Sequence, residues 1–279
     1  MDPPALHLLL QGAGLFALGL AIGAFGTLIG AGGGFLLAPI LVLIDPHATP
    51  AILTATSLGV VCLNATSGSI AYGRMGRIDA RSAITFALAS VPGSVLGAWT
   101  VHRLDRHTYD MLLGGSLLAI AAFLLWRRVR SPHEPLHAWG RPTTRRVVIE
   151  SDGTRHEYAY DMRIGIAVSV GVGFLSSLLG IGGGILHVPA MVNLLGFPVH
   201  IATATSHAVL AAMTLVGVLV HAFDGSLAPA LPRIAAIGLG AVIGAQLGAR
   251  FSGRMSGPAI MSSLALALAL VGLRLLFAH

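Results

Sequence analysis

Two glycine-rich strings with the same pattern could present backbone amides to an anion. Residues 30–39 read GAGGGFLLAP and residues 180–189 read GIGGGILHVP. Each glycine in the run disfavours a helix by about 1 kcal/mol relative to alanine, so each string predicts a break in its apolar stretch. The helix that restarts afterwards begins with amides that lack intrahelical acceptors and with the positive end of its dipole, which together bind anions. Close helix packing by small residues is the alternative. The candidate binding glycines are Gly30, Gly32, Gly33, Gly34, Gly180, Gly182, Gly183 and Gly184.

A second string, Thr-Ala-Thr-Ser, follows each glycine motif and offers hydroxyl donors. It occupies 54–57 and 203–206, an offset of 149 against 150 for the glycine strings, which indicates an internal duplication. Hydroxyls can donate to an oxyanion without adding charge. They can equally cap helices or bond to carbonyls of their own helix, and both interpretations stay open. The candidate hydroxyls are Thr54, Thr56, Ser57, Thr203, Thr205 and Ser206.

The composition predicts that these motifs lie in a membrane. Hydrophobic residues make up 55% of the 279 residues and charged residues 10%, whereas soluble domains carry about 25% charged residues. Two apolar pieces, 33–44 and 183–195, are too short to cross a bilayer. The runs long enough to cross are 6–28, 52–72, 81–101, 109–126, 163–179, 201–222, 232–250 and 257–277. We therefore predict an all-α polytopic membrane protein.

The placement of arginine predicts the orientation. All 17 basic residues are arginine, and they concentrate in the loop 73–81 and the connector 127–163. Two spans separate these stretches, so both should face the cytoplasm of a cell membrane, with both termini external. Arg103 and Arg106, in a loop predicted to be external, are an exception. The pI of 10.7 suggests nucleic-acid binding, but arginines at span ends explain the basic charge, and we predict no nucleic-acid partner.

The duplication predicts two homologous halves, 1–126 and 163–279, each a broken-helix hairpin followed by three transmembrane helices. If each short piece returns the chain to the side from which it entered, the two halves have opposite orientations and are inverted repeats. If the short pieces are not membrane passes, the duplication would be parallel. Paired interruptions in two halves point to a transport site at the midplane. The polar connector 127–162 predicts a short β-hairpin around Asp152-Gly153, and a plain linker is favoured over a regulatory flap.

Acidic residues and histidines differ in where they occur. All 11 acids lie at the N-terminus, in loops or near span ends, which disfavours acid–base catalysis and a carboxylate ion site and agrees with an anionic substrate. His187, His207 and His221 lie in or near spans of the second half and are candidates for proton coupling. Neutral histidines bonded within the bundle are the alternative. No metal site or cofactor is predicted, because these histidines have neither a short ligand spacing nor an acid or thiol beside them.

The motif pair, the string GRMGRID at 73–79 and the pair Pro92-Gly93 resemble the sulfite exporter TauE/SafE family, also called the toluenesulfonate uptake permease family. The resemblance covers nearly the whole chain outside the connector. Members with assigned roles move sulfite, sulfonates or related organic anions, by export or uptake. The resemblance thus implies an anion permease with the motif glycines as its site, although the connector and the second-half histidines are less typical.

These observations predict a secondary transporter rather than an enzyme. It would move a small, sulfur-containing anion across the membrane by alternating access at a midplane site. The chain has no G-x-x-x-x-G-K-[ST] loop for ATP and no lysine to complete one. The alternatives are an anion channel and a membrane-embedded, histidine-dependent metal-binding protein. The predicted partners are the small anion and the lipid bilayer, and the sequence makes no prediction of oligomeric state.

Overall fold

The computed structural model describes residues 3–130 and 141–253, with four further positions at 262, 266, 269 and 270. The described chain is helical except for one hairpin. Its elements are α1 (Pro3–Leu28), α2 (Gly34–Ile44), α3 (Pro50–Arg74), α4 (Ala80–Thr100), a 3-10 turn (Val101–Arg103), α5 (Arg106–Arg130), β1 (Thr144–Ile149), β2 (Arg155–Tyr160), α6 (Met162–Leu179), α7 (Gly184–Asn193), α8 (Val199–Phe223) and α9 (Leu227–Ser252).

Six of the described helices are long and apolar enough to cross a membrane, which confirms the all-α polytopic fold. They are Leu10–Leu28, Pro50–Arg74, Ala80–Arg103, Met162–Leu179, Val199–Phe223 and Leu227–Ser252. The predicted span 109–126 lies within α5, a helix of 25 residues. The predicted span 257–277 falls almost entirely outside the described residues. The short pieces after the glycine motifs are the helices α2 and α7, of 11 and 10 residues.

Duplicated glycines hold the first helix of each half against the equivalent helix, α4 or α9, of the other half. A Cβ atom built on Gly93 or Gly97 of α4 would lie 2.0 or 2.2 Å from carbonyl oxygens of α6. Gly240 and Gly244 of α9 approach carbonyl oxygens of α1 equally closely, at 2.1 and 2.2 Å. Small residues let membrane helices approach this closely. The equivalent pairs therefore hold α6 on α4 and α1 on α9.

The two hairpin loops contact opposite ends of the bundle. The loop after α2 receives hydrogen bonds from Arg106, whose Nη1 donates to the Ala48 carbonyl at 2.9 Å, and an ion pair from Arg233 to Asp45 at 2.6 Å. The loop after α7 instead meets the β-hairpin, where Phe197 lies 4.4 Å from the Tyr158 ring centroid. We call these the Arg106 end and the hairpin end.

The connector forms an antiparallel β-hairpin that docks on the membrane helices. Thr144 pairs with Tyr160 and Ile149 with Arg155, and Gly153 in the turn has a φ of +88°. Tyr160 is buried against Phe86 and Phe197. The hairpin is thus packed on the bundle at the position where the sequence predicts a connector.

Candidate functional site

Both glycine motifs break their helices with left-handed backbone, as the sequence predicts. Gly30, Gly32 and Gly33 have φ values of +80°, +73° and +79°. Their counterparts Gly180, Gly182 and Gly183 have φ values of +67°, +72° and +41°. Residues with a Cβ atom rarely adopt this conformation, so the run of glycine permits the turn. In each half the chain reverses inside the bundle.

The helix that restarts after each motif begins with amides that have no hydrogen-bond acceptor within the helix. The first intrahelical donors of α2 are Leu36 and Leu37, whose amides bond the Gly33 carbonyl at 3.1 Å. In α7, the Leu186 and His187 amides bond the Gly183 carbonyl at 3.0 and 2.8 Å. Before these donors, the amides of Gly34 and Phe35 in α2 and of Ile185 in α7 lie at the positive end of the helix dipole, whereas the Gly184 amide donates to the Gly182 carbonyl. Each half therefore ends its break in the same cap.

The two motifs touch each other. A Cβ atom built on Gly34 would lie 2.7 Å from the Ile181 carbonyl oxygen, and one on Gly184 would lie 2.5 Å from the Gly30 carbonyl oxygen. We call residues 30–34 and 180–184 the glycine crossing. Broken backbone from both halves meets at one place inside the protein.

The Thr-Ala-Thr-Ser strings also cross between halves. Ser57 Oγ donates to the Gly180 carbonyl at 2.5 Å, and Ser206 Oγ lies 3.5 Å from the Gly30 carbonyl. A Cβ atom built on Gly180 would lie 3.1 Å from Thr54 Cα. The Thr-Ala-Thr-Ser string of each half therefore contacts the glycine motif of the other half. The duplication predicts that the two strings are equivalent, but it does not predict these contacts.

The four threonines of these strings divide into two kinds. Thr54 Oγ1 and Thr203 Oγ1 are buried with no hydrogen-bond partner among the described residues. The Tyr109 hydroxyl near Thr54 donates instead to the Leu179 carbonyl at 2.8 Å. Thr56 Oγ1 donates to a carbonyl of its own helix at 2.8 Å, and Thr205 Oγ1 accepts from the Asp79 amide at 3.0 Å. Thr54 and Thr203 are thus the hydroxyls available to a ligand.

The glycine crossing is packed shut in this conformation. Residues 30–34 and 180–184 are all buried. Built Cβ atoms on them would approach neighbouring atoms to between 2.3 and 3.1 Å. An apolar cleft of about 410 Å³ between α5, α6 and α7 passes Ile181 and Ile185 but does not open the crossing. The glycines therefore serve close packing here, and a ligand at the crossing requires that the halves separate.

His207 belongs to a buried hydrogen-bond network. Asn64 Nδ2 donates to the carbonyls of Gly23 and Ala241 at 3.1 and 3.2 Å, so its Oδ1 is the acceptor for Thr27 Oγ1 at 3.1 Å. His207 Nε2 lies 3.2 Å from Thr27 Oγ1, so the ring joins the same network. His207 Nδ1 is buried on the side of the Gly30 and Thr203 carbonyls and makes no hydrogen bond of good geometry among the described residues.

Sequence reasoning missed Thr27, although the duplication carries a signal for it. Thr27 precedes the first motif by three residues, and Ser177 precedes the second by three. The duplication also shows where His207 departs from symmetry. Gly68 makes room for the His207 ring, whereas the equivalent Gly217 makes room for Leu58.

The side chains of the other two predicted histidines contact different groups. His187 Nε2 lies 3.1 Å from Ser169 Oγ, and the ring packs edge-on against Phe86 at 5.7 Å between centroids. These contacts are typical of the alternative that the sequence left open, a neutral histidine bonded within the bundle. His221 lies at the Arg106 end, where its Nδ1 is 3.2 Å from the Asp224 carboxylate. The prediction that no acid lies beside these histidines is therefore wrong for His221.

Asp79, which sequence reasoning also missed, joins the β-hairpin to the crossing. Its carboxylate accepts from Arg146 Nε at 2.9 Å and from the Tyr158 hydroxyl at 2.8 Å. Burial acts to raise the pKa of Asp79, but hydrogen bonds from Arg146, Ser82 and Tyr158 outweigh it and lower the pKa to about 2. The Asp79 amide donates to Thr205 Oγ1, so two contacts join the docked hairpin to Thr205. The next residue, Ser206, lies against the crossing.

Comparison with known proteins identifies the family. The family model described as "Sulfite exporter TauE/SafE" matches residues 15–275. The chain belongs to this family. One relative is the "Probable membrane transporter protein YunE" of Bacillus subtilis, which is 32% identical over 76% of this chain and 78% of its own length. Another is the "Probable membrane transporter protein MJ0441" of Methanocaldococcus jannaschii, which is 30% identical over 74% of this chain and 70% of its own length. A Xylella fastidiosa relative is 32% identical over 63% of this chain and 59% of its own.

Membership of the TauE/SafE family confirms the resemblance seen in the motifs. It agrees with a multi-pass membrane protein, because six described helices are suited to crossing a bilayer. The family is one of membrane transporters. No solved structure matches the chain.

Proposed function

We propose that this TauE/SafE-family chain is a secondary transporter of a small, sulfur-containing oxyanion such as sulfite or a sulfonate. The glycine crossing is its substrate site, and alternating access is its mechanism. The observation that supports this most directly is the meeting of two broken-helix ends, one from each half, beside the unpartnered hydroxyls of Thr54 and Thr203.

The hairpin contacts support an inverted relation between the halves. α2 runs from the crossing to the Arg106 end, and α7 runs from the crossing to the hairpin end. The positive ends of the two short helices then approach one site from opposite directions. An oxyanion with several oxygens suits this arrangement, because amides of both helices and both threonine hydroxyls can each take a different oxygen.

The charge distribution is compatible with an anion. The buried carboxylates of Asp79, Asp110 and Glu150 each pair with an arginine near the helix ends, at 2.5, 2.9 and 2.6 Å. A substrate anion at the crossing would therefore meet helix ends and hydroxyls and would not face an uncompensated carboxylate. This agrees with the sequence, in which all acids lie at the N-terminus, in loops or near span ends.

The closed crossing corresponds to one state of the proposed cycle. Separation of the halves at one end would admit the anion from that side, and separation at the other end would release it. The arginine-rich loop 73–81 and connector lie at the hairpin end, which we assign to the cytoplasm of the cell membrane, with both termini external.

His207 is the group we propose for proton coupling. The groups that face its ring are neutral: Thr27 from α1, Tyr72 from α3 at 5.6 Å between ring centroids, and the carbonyls of Gly30 and Thr203. A proton taken up by the ring would create a positive charge beside the anion. Movement of the anion together with this proton would reduce the charge carried across the membrane.

Uptake of radiolabelled sulfite into proteoliposomes tests the proposal. We expect saturable uptake that is stimulated by counter-flow, inhibited by unlabelled thiosulfate or sulfonates, and changed by a pH gradient; protein-free liposomes are the control. Lactate and sulfate serve as further competitors. Conductive flux without saturation or counter-flow would favour a channel. Absence of flux with every sulfur anion would refute the substrate class.

A further inference from the structure

Three side chains with metal-binding atoms converge at the Arg106 end, away from the glycine crossing. They are His102 in the turn after α4, His221 in the last turn of α8, and Asp224 just beyond it. Their nearest nitrogen and oxygen atoms all lie within 4.8 Å of one another. Within the described ranges, this is the one group of three such residues that are close enough to share an ion.

Both imidazoles face the same carboxylate oxygen. His102 Nε2 lies 2.6 Å from Asp224 Oδ2, and His221 Nδ1 lies 3.2 Å from it. Ligand atoms of a tetrahedral zinc ion are roughly 3.3 Å apart, given bonds of about 2.0 Å. The His221 contact already has this spacing, and the His102 side chain, which is one-third exposed, needs to withdraw by less than an ångström.

The second oxygen of Asp224 is held in place by its neighbour. Ser226 donates to Asp224 Oδ1 through its amide at 2.8 Å and through its hydroxyl at 2.5 Å. Such bonds orient a carboxylate ligand so that its other oxygen is directed at the metal.

The ion would have an open route from solvent. His102 lines a depression of about 450 Å³ together with residues of the loop 46–51 and the start of α5. His221, in contrast, is fully buried on the inner side. Its Nδ1 lies 2.8 Å from Ser226 Oγ, and a bound ion would replace this hydrogen bond. Three protein ligands leave the fourth position of a tetrahedral ion for water.

We propose that His102, His221 and Asp224 form a binding site for a divalent transition metal of the zinc class. The site joins the turn after α4, in the first half, to the α8–α9 turn, in the second half. A bound ion would therefore tie the two halves together at the Arg106 end. This inference does not depend on the identity of the transported anion.

Zinc titration of the purified full-length protein in detergent, with any purification tag removed, tests the site. We expect one zinc ion per chain to bind, and Co²⁺ in its place to show the visible absorption of a tetrahedral site. His102→Ala and Asp224→Asn should each remove this binding. Both positions are exposed, so these variants should fold, which their thermal unfolding without metal would establish.

Two further variants distinguish a specific zinc site from nonspecific binding of zinc to any histidine–carboxylate pair. Ser226→Ala should weaken zinc binding by roughly 10- to 100-fold, because it removes the hydroxyl that contacts both Asp224 Oδ1 and His221 Nδ1 and so positions two of the ligands without being one itself. His156→Ala is the matched control: it removes a histidine–carboxylate pair of 2.8 Å with Glu150 at the hairpin end and should leave zinc binding unchanged. No zinc binding by the wild-type protein, or wild-type affinity in His102→Ala, would overturn the proposal.

Discussion

Thr203→Val removes one hydroxyl from beside the glycine crossing and keeps the shape of the side chain. Thr54→Val does the same in the other half. Because neither hydroxyl has a hydrogen-bond partner among the described residues, the folded protein loses no bond in either variant. A buried hydroxyl without a partner is itself unfavourable, so we expect the free energy of unfolding to be unchanged or slightly raised.

Anion binding should respond very differently. A hydrogen bond to a charged group contributes about 1.5–3 kcal/mol, which corresponds to an affinity loss of roughly 10- to 150-fold for each variant. The two hydroxyls belong to opposite halves and would contact different oxygens of the anion. We therefore expect the double variant to lose about the sum of the two free energies.

The assay is equilibrium binding of sulfite to protein in detergent, followed by flux in proteoliposomes and a thermal unfolding curve for each variant. Thr56→Val is the matched control, since its hydroxyl donates to a carbonyl of its own helix and should not reach the anion. Normal sulfite affinity in both Thr54→Val and Thr203→Val would show that these hydroxyls are not part of the site. A loss of sulfite affinity in Thr56→Val equal to that in Thr54→Val would show a general effect of valine in α3.

Three other predictions concern coupling, docking and packing. His207→Ala should flatten the pH dependence of sulfite flux, and an unchanged profile would remove it from the mechanism. The pKa of Asp79 is lowered to about 2, whereas its pKa in the unfolded chain is roughly 4. The ionised carboxylate therefore stabilises the fold above roughly pH 4, and this contribution is lost as the pH falls toward 2. Asp79→Asn should lower the melting temperature at pH 7 and make the melting temperature less sensitive to acid. Gly184→Ala places a Cβ atom 2.5 Å from the Gly30 carbonyl oxygen and should lower the melting temperature sharply, whereas Gly171→Ala, with open space around it, should match or exceed the wild type.

The sequence predicts the broken helices because their cause is local. A run of glycine before an apolar segment disfavours helix at that point whatever surrounds it, and the structure places left-handed glycines in both motifs. The long apolar helices are predictable for the same reason, since hydrophobicity over about 20 residues is a property of the segment. These two features give most of the architecture.

The contacts between the halves join residues that are far apart in the sequence, so no local sequence pattern predicts them. Ser57 and Gly180 are 123 residues apart, and His102 and Asp224 are 122 apart. The hydrogen-bond network of His207 joins residues of three helices, and only their packing brings them together. Motif spacing could nominate the hydroxyls, but it could not separate the unpartnered Thr203 from Thr205, whose hydroxyl is already bonded.

The difference between the two Thr-Ala-Thr-Ser strings makes the proposed cycle asymmetric. In the first half, Thr56 bonds within its own helix and leaves no link to the end of the bundle. In the second half, Thr205 bonds the Asp79 amide, and the Asp79 carboxylate holds Arg146 of the β-hairpin. Separation of the halves at the hairpin end would strain or break that chain of contacts. The connector is therefore placed to influence opening on one side, although the duplicated motifs themselves are nearly equivalent.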